Sequence, residues 1–446
     1  MKRHRRKSAP PAPSEEFRFL LSQVWGEPRE LRSTPEEMAA RRDAQVREIV
    51  GFAFERVAWY ARATRERGLE AGDVTAAADL ARLPVIDPEA LHEPRDFVPR
   101  GADLDDLVAL TTSGSTGEPR TVYHDLKGML AGTAVNLRAR AVRNRHFGPA
   151  GPERTVRLAL PGNPDRVRTR LREAFPALGS LSAGGTRIEA FEDPALVVEE
   201  LRKLRPDHLG GYASAIGRLF RHVKETGVDL PLPRVVSHSF DALSASERRM
   251  IEEEFGIPTL GSYGSTEAFS IGFECGAGEG YHVNEDVSHV RIADPDGESI
   301  PSGEPGTVIV SNLVNRGTVL LNYTVGDLAA WIPEPCPCGR PLPRLRLLEG
   351  RDNAWIERPG GTRFHSFRLA NALTRPDVGR WQIAQPDGRR LVVRVLPQGA
   401  VDRPRLASEL ESVVRAEIGP ELEVVIEFPD VLEATRSGKI LSFVRR

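Results

Sequence analysis

One run of ten residues limits the architecture more than any other. Thr111-Thr112-Ser113-Gly114-Ser115-Thr116-Gly117-Glu118-Pro119-Arg120 follows the apolar run Leu107-Val108-Ala109-Leu110, which reads as a strand. Two glycines let the backbone turn tightly, and five hydroxyls stand between and beside them. A loop of this kind turns N–H and O–H donors inward and forms an anion-binding nest. A Ser/Thr/Gly string is also the composition of a flexible linker. The strand before it and the ordered Val122-Tyr123 after it favour the nest. The spacing is not that of the Gly-x-x-x-x-Gly-Lys-Ser/Thr phosphate loop, and an arginine, Arg120, ends it.

The pattern around this loop predicts layers of strands and helices. Residues 101–349 alternate apolar strands with helices, as in Val156-Arg157-Leu158-Ala159-Leu160 and Val235-Val236-Ser237, which predicts an α/β fold. Val308-Ile309-Val310-Ser311 and Gly317-Thr318-Val319-Leu320 read as strands of a smaller sheet. Upstream, residues 36–66 carry Val46, Ile49, Phe52 and Val57 at mostly helical spacing. A compact C-terminal unit, residues 351–446, holds a strand from Arg390, a helix over 404–418 and a strand over 422–428. At 446 residues the chain has room for a few domains, and 40% hydrophobic residues supply their cores.

Charge narrows the partners. The net charge of −2 implies no nucleic-acid or membrane field. No apolar run is long enough to span a bilayer. The basic start, Met1-Lys2-Arg3-His4-Arg5-Arg6-Lys7, lacks an apolar stretch and so is not read as a secretory signal. Residues 1–16 are expected to be a disordered tail rather than a nucleic-acid arm, and the expected compartment is the cytoplasm.

Two residue types are used sparingly. Six lysines stand against 55 arginines, yet Ser437-Gly438-Lys439 keeps a lysine beside a glycine. A compact ammonium on a flexible stem suits a crowded, charged slot better than a planar fork; the plain alternative is a surface lysine. The three cysteines are Cys275, seven residues before His282, and the pair in Cys336-Pro337-Cys338-Gly339. Three thiolates and an imidazole make a closed, structural zinc set. The alternative is unpaired cysteines in a reducing compartment. A disulfide between Cys336 and Cys338 would be strained.

Taken in order, five segments resemble the adenylate-forming superfamily: acyl- and aryl-CoA synthetases and the adenylation domains of peptide synthetases. They are the loop at 111–120, Ser262-Tyr263-Gly264-Ser265-Thr266-Glu267, Tyr323-Thr324-Val325-Gly326-Asp327, Gly350-Arg351-Asp352 and Ser437-Gly438-Lys439. With Val57-Ala58-Trp59-Tyr60, Leu80-Ala81-Arg82-Leu83-Pro84-Val85 and its short length, the chain is most similar to the phenylacetate-CoA ligase branch. It also resembles that branch's coenzyme F390 synthetases.

The resemblance implies a large N-terminal domain (residues 17–350) that binds ATP and the acid, and a small mobile α+β lid (residues 351–446). It implies attack of a carboxylate on the α-phosphate of ATP, giving an acyl-adenylate and pyrophosphate, then transfer to a thiol, CoA first among them. Catalytic roles fall to Lys439, Thr266 and Glu267, with Glu267 holding Mg²⁺. Nucleotide binding falls to Thr112, Ser113, Gly114, Ser115, Thr116, Gly117 and Arg120 on the phosphates. Ser237, His238, Ser239, Tyr263 and Gly264 fall around adenine; Asp327 and Arg351 fall on the ribose. Tyr212, Ala268 and Phe269 would line the pocket of a small or aromatic carboxylic acid. Some members of the branch carry a zinc site like the one expected of Cys275, His282, Cys336 and Cys338.

Each residue has a plainer reading. Tyr263 and Thr266 could be packing at a strand end, Glu267 a helix cap and Asp327 a turn aspartate. The run Ser237-His238-Ser239-Phe240-Asp241 lacks the family's glutamate, and His238 either replaces it or is simply packed. The stretch Glu357-Arg358-Pro359-Gly360-Gly361-Thr362-Arg363-Phe364-His365 departs from the relatives' CoA-meeting glycines. The acceptor therefore stays open among CoA, a carrier-protein thiol, an amine and a hydroxyl. A non-catalytic nucleotide-binding protein is the remaining reading, and the chain is expected to be a monomer or homodimer.

Overall fold

The computed structural model describes residues 33–112, 119–148, 154–175, 185–294, 296–351, 355–359, 363–366, 377–433 and 442–445, with scattered positions between 369 and 375. The tail at 1–16, most of the hydroxyl loop (113–118) and Lys439 lie outside the described residues.

The helical start is two helices, α1 (Pro35–Arg56) and α2 (Ala58–Arg67). Thr34 accepts from the Glu37 N–H and Glu37 reaches back to Thr34, a capping box that fixes where α1 begins. After α2 come short 3₁₀ turns rather than further helices. A ribbon of β1 (Val108–Thr111) and β2 (Thr121–His124) carries the hydroxyl loop at its tip. Then come α3 (Leu126–Phe147), β3 (Thr155–Leu158), α4 (Asn163–Ala174), β4 (Thr186–Ile188), α5 (Pro194–Leu204), β5 (His208–Tyr212), α6 (Ala213–Thr226), β6 (Val235–Ser239) and α7 (Ala245–Arg249). Seven strands follow: β7 (Thr259–Ser265), β8 (Phe269–Phe273), β9 (Tyr281–Val283), β10 (Ser288–Ala293), β11 (Gly306–Asn312), β12 (Tyr323–Ile332) and β13 (Arg344–Arg351). The chain ends with the hairpin β14 (Trp355–Glu357) and β15 (Arg363–His365), then β16 (Val378–Asp387), β17 (Arg390–Pro397), α8 (Arg403–Ile418), β18 (Glu423–Glu427) and β19 (Phe443–Arg445).

One sheet of eleven strands runs through the larger part, in the order β10-β11-β12-β13-β9-β8-β7-β6-β5-β3-β4. The strands from β4 to β7 are parallel, and from β7 onward every pair is antiparallel. The sheet therefore changes character at β7. The expected smaller sheet is absent as such: β11 belongs to this large sheet. Residues 317–320 are not a strand either. They run extended and buried because Thr318 donates to the Tyr123 carbonyl and Val319 to that of Phe97, while Tyr60 accepts from Leu321 N–H. Those partners come from separate segments and cannot extend a regular ladder.

The parallel half alternates sharply between faces. Val156, Leu158, Leu209 and Val236 join α5 and α6 in one core cluster. α3 lies on the opposite face, where its Val142 packs with Val235, Leu260 and Phe273. The C-terminal strands β18-β17-β16-β19 form their own sheet over α8, with a separate core of Ile356, Leu369, Ile383, Val393, Leu410 and Val414 among others. It meets the larger part through a buried pair: Arg380 donates from Nε and Nη2 to the two Glu247 oxygens at 2.9 and 3.0 Å. Ser246 Oγ adds a hydrogen bond to the Gly379 carbonyl at 2.9 Å.

α3 is held down by a charge the sequence does not advertise. Arg138, 1% exposed, forks onto Asp286 at 2.8 and 2.5 Å and onto Asn284 Oδ1 at 3.0 Å. Burial opposes ionisation of Asp286, but the charge and hydrogen bonds of Arg138 win and hold its carboxyl below the ordinary value. Removing one partner of a buried pair leaves the other charge unpaired. Arg138→Met should therefore cost about 3–5 kcal/mol in chemical denaturation at neutral pH. A depressed carboxyl contributes stability above its unfolded pKa of about 4 and loses it as pH falls through the folded value. The gap between variant and parent should thus narrow in acid. A gap independent of pH would refute the assignment.

Candidate active site at the parallel–antiparallel junction

The β7–β8 turn carries Thr266 and Glu267, and three separate segments fix it. His124, at the end of β2, is fully buried and donates from Nε2 to the Thr266 carbonyl at 2.8 Å. Burial pushes its pKa down to about 4, so the ring stays neutral. Asn312 Nδ2 donates to the Glu267 carbonyl at 3.0 Å. The Tyr323 hydroxyl donates to Glu267 Oε1 at 3.0 Å. Burial first, then the Glu267 charge and hydrogen bond, keep that phenol protonated, and the nearby Arg120 guanidinium works weakly the other way. Arg120 thus sits within electrostatic reach of the Tyr323–Glu267 pair.

Gly264 is required here for space. A Cβ on it would stand 2.2 Å from the Phe269 carbonyl oxygen, at the register shift between β7 and β8. Phe269 itself adopts φ 57°, a left-handed backbone unusual for an aromatic. Its ring packs against His124, centroids 4.2 Å apart, and over Gly132 of α3. Ala268 is buried and donates its N–H to Ser265 Oγ at 3.1 Å.

The neck of the hydroxyl loop is closed by Thr112 and Arg120. Thr112 N–H donates to the Arg120 carbonyl at 2.8 Å, and Arg120 N–H to Thr112 Oγ1 at 3.0 Å. Ser113, Gly114, Ser115, Thr116 and Gly117 lie outside the described residues. On the other side of Glu267, the Tyr263 hydroxyl donates to Asp327 Oδ2 at 3.0 Å. Asp327 stands opposite Arg351 in the β12–β13 register, so two distant motifs share one rung.

Not every candidate joins this group. Ser237 and Ser239 face α3, whereas His238 turns to the other face. There it is fully buried, and Arg248 Nη2 donates to its Nε2 at 3.1 Å while also bridging Glu274. That is the packed histidine of the two readings. Tyr212 stacks on Phe240, centroids 4.6 Å apart, with Phe191 beside it; it keeps company different from that of Phe269. Phe240 is half exposed at φ 73°. Asp241 takes the place where a glutamate was missed: its Oδ1 accepts from the Ala213 N–H at 2.7 Å and caps α6. His124, Tyr323 and Asn312 escaped the sequence reading as supports of the turn. Only Tyr323 carried a signal, as the first residue of its motif.

The four metal-ligand candidates do converge. Ligand atoms of Cys275, His282, Cys336 and Cys338 all lie within 4.8 Å of one another. Cys275 Sγ is 3.5 Å from Cys336 Sγ, and Cys338 Sγ is 3.3 Å from His282 Nε2. His282 donates from Nδ1 to the Leu342 carbonyl at 3.3 Å, which fixes the tautomer that leaves Nε2 as the ligand atom. Burial pushes the Cys336 thiol up to about 11, whereas at Cys338 burial is overcome by hydrogen bonds and the Arg340 charge, which hold that thiol below its ordinary value. The donor set and its spacing fit a four-coordinate zinc.

Comparison with known proteins agrees with this geometry. The AMP-binding enzyme family matches residues 32–315. The phenylacetate-coenzyme A ligase of Thermus thermophilus is 26% identical over 427 residues, 91% of this chain and 90% of that protein. That of Aromatoleum evansii is 24% identical over 440 residues, covering 93% and 96%. Among solved structures, 2-hydroxyisobutyryl-CoA ligase in its postadenylation state superposes with a TM-score of 0.71 at 20% identity, over 98% of this chain and 94% of that one. An amide bond synthetase from Marinactinospora thermotolerans gives 0.52 at 20% identity, over 90% and 92%. The chain belongs to the adenylate-forming AMP-binding enzymes, on the branch of the phenylacetate-CoA ligases.

Proposed function

We propose that this enzyme activates a carboxylic acid with ATP as an acyl-adenylate and passes the acyl group to CoA. The observation that carries the reading is the junction itself. The loop neck, the Thr266-Glu267 turn and the Tyr263–Asp327 pair converge there, in a chain of the AMP-binding family. The acid needs no protein nucleophile; it needs alignment and charge neutralisation. The loop from Thr112 to Arg120 would cradle the β- and γ-phosphates. Tyr263, Gly264, Ser237 and Ser239 would flank adenine, and Asp327 and Arg351 would hold the ribose. Glu267, oriented by Tyr323, would hold Mg²⁺, which supplies charge neutralisation at the triphosphate when bound. Thr266 would contact the α-phosphate. Ala268 and Phe269, with Tyr212, would border the acid.

Lys439 would bridge the acid and phosphate oxygens as charge shifts between them, so its contribution is made mainly in the transition state. It belongs to residues 351–446, proposed here as the lid, which would withdraw it before thiol transfer. Lys439→Ala should lower acid-dependent ATP–pyrophosphate exchange by about 10²–10³, by analogy with oxyanion donors, with ATP affinity nearly unchanged. Transfer from a supplied acyl-adenylate to the thiol should survive. Exchange at the parent rate would sink the assignment.

CoA is favoured over other acceptors because the relatives are phenylacetate-coenzyme A ligases. With the right acid, AMP release should become fast only when CoA is added. Accumulation of adenylate indifferent to CoA would point instead to an amine, a hydroxyl or a carrier-protein thiol.

The Cys/His cluster is proposed as a structural zinc site. Purified protein should hold about one zinc per chain after mild chelation. Cys336→Ser should lower its stability, since the binding energy of a structural metal is also folding energy. Substoichiometric zinc together with a normally folded, active Cys336→Ser protein would disprove this.

A further inference from the structure

The face of the parallel strands under α3 is built oddly. Along β3, β5 and β6 the residues facing α3 are Arg157, His208, Gly210, Ser237 and Ser239. Their neighbours Val156, Leu158, Leu209 and Val236 fill the opposite core. A covered sheet face usually presents apolar bulk. Here the middle positions are glycine and serine, and a Cβ on Gly210 would meet Ser237 Oγ at 3.2 Å. Into the space come Arg140 and Arg143 from α3 and Arg157 from β3.

None of the three guanidiniums forms an ion pair among the described residues. Asp165, the acidic group nearest Arg157, is already bridged by Arg168 at 2.5 Å and Arg187 at 2.7 Å. The Nε atoms of Arg143 and Arg157 are buried and without hydrogen-bond partners. Arg143 Nη1 donates to His208 Nδ1 at 2.9 Å, so the ring proton sits on Nε2 and is given to Ser237 Oγ at 2.5 Å. The Ser237 hydroxyl proton is thereby left to point elsewhere. Burial, then the charges of Arg143, Arg140 and Arg157, push His208 down to about 3, so it adds no further charge and no counter-charge. Half-buried cations without partners are costly unless something anionic joins them. The strip leads through Ser237 and Ser239 to the C-terminal ends of the strands, where ligands of parallel sheets bind.

We propose that the acid activated by this enzyme carries a second anionic group, a carboxylate, which docks on Arg140, Arg143 and Arg157 between α3 and the strands β3, β5 and β6. This rests on the adenylation reading and names its substrate class. The first carboxylate lies at the β7–β8 turn; the second satisfies guanidinium charge that His208 and Asn144, both neutral, leave unanswered at Arg143. Charge-assisted, forked contacts of this kind separate a diacid from its monoacid.

Two measurements test it. In calorimetry on the full chain, adipate or 1,4-phenylenediacetate should bind about tenfold tighter, or more, than hexanoate or phenylacetate. Arg143→Gln should erase that preference while keeping monoacid binding. Separately, Arg157→Met should raise the melting temperature of the ligand-free protein, because it removes an uncompensated charge. A fall in melting temperature would mean the arginines are structural, and would overturn the proposal. So would equal binding within both pairs. A raised KM for CoA in Arg143→Gln with unchanged acid preference would assign the cluster to CoA phosphates and overturn it as well. Diacid binding without pyrophosphate exchange would leave the anion pocket standing and refute the adenylation reading instead.

Discussion

The site depends on how closely β8 folds back on β7. With Gly264 against the Phe269 carbonyl, the turn between them has no room to relax. Its two carbonyls are spoken for, Thr266 by His124 and Glu267 by Asn312, and its carboxylate by Tyr323. These supports come from β2, β11 and β12, so the turn is clamped by three segments that are remote in sequence. The clamp lies where the sheet passes from parallel to antiparallel. Parallel strands bring phosphate- and ligand-binding ends to one edge. The antiparallel half supplies Asp327 and the Arg351 rung from the other side. Neither half alone holds all the groups.

The parallel half was legible because every second residue of its strands is apolar, as Val156, Leu158, Leu209 and Val236 show, and the segments 262–267 and 323–327 meet at the junction. What stayed hidden were contacts between distant positions. His124 lies 142 residues from the carbonyl it holds, and no local pattern marks a strand-end histidine as a support. Residues 317–320 have a strand's composition, but their donors go to Tyr123 and Phe97 rather than to a ladder, which no single segment announces. Asp241 carries no local sign of its partner, since the N–H it accepts from, that of Ala213 at the start of α6, lies 28 residues away. His238 alternates with Ser237 and Ser239, and that period alone sends it to the other face.

Arginine is used here in two opposed ways. Arg138 and Arg380 are buried and fully matched, by Asp286 and Glu247, and tie separate layers together. Arg140, Arg143 and Arg157 are gathered with no ion pair among the described residues, Asp165 acting on Arg157 only from a distance. A fold that can answer a buried guanidinium so well elsewhere shows that the unmatched cluster is not for want of carboxylates, since Asp and Glu outnumber Lys and Arg by 63 to 61. Sites that bind charge are commonly left incomplete in the free protein, at some cost in stability.

The Cys/His cluster has its own place in this economy of supports. β9 is three residues long and is the only link between β8 and β13 in the described sheet order. It contributes just two registered pairs on each side. So short a strand makes a weak seam, and it joins the half with Tyr263 to the half with Asp327. Cys275 follows β8, His282 lies in β9, and Cys336 and Cys338 stand between β12 and β13. An ion held by these four would staple the seam from both sides. The 3.0 Å Tyr263–Asp327 contact, across the same seam, needs that alignment. A structural metal remote from the junction would then be felt at Asp327, the carboxylate proposed for the ribose, through the sheet rather than through any direct contact.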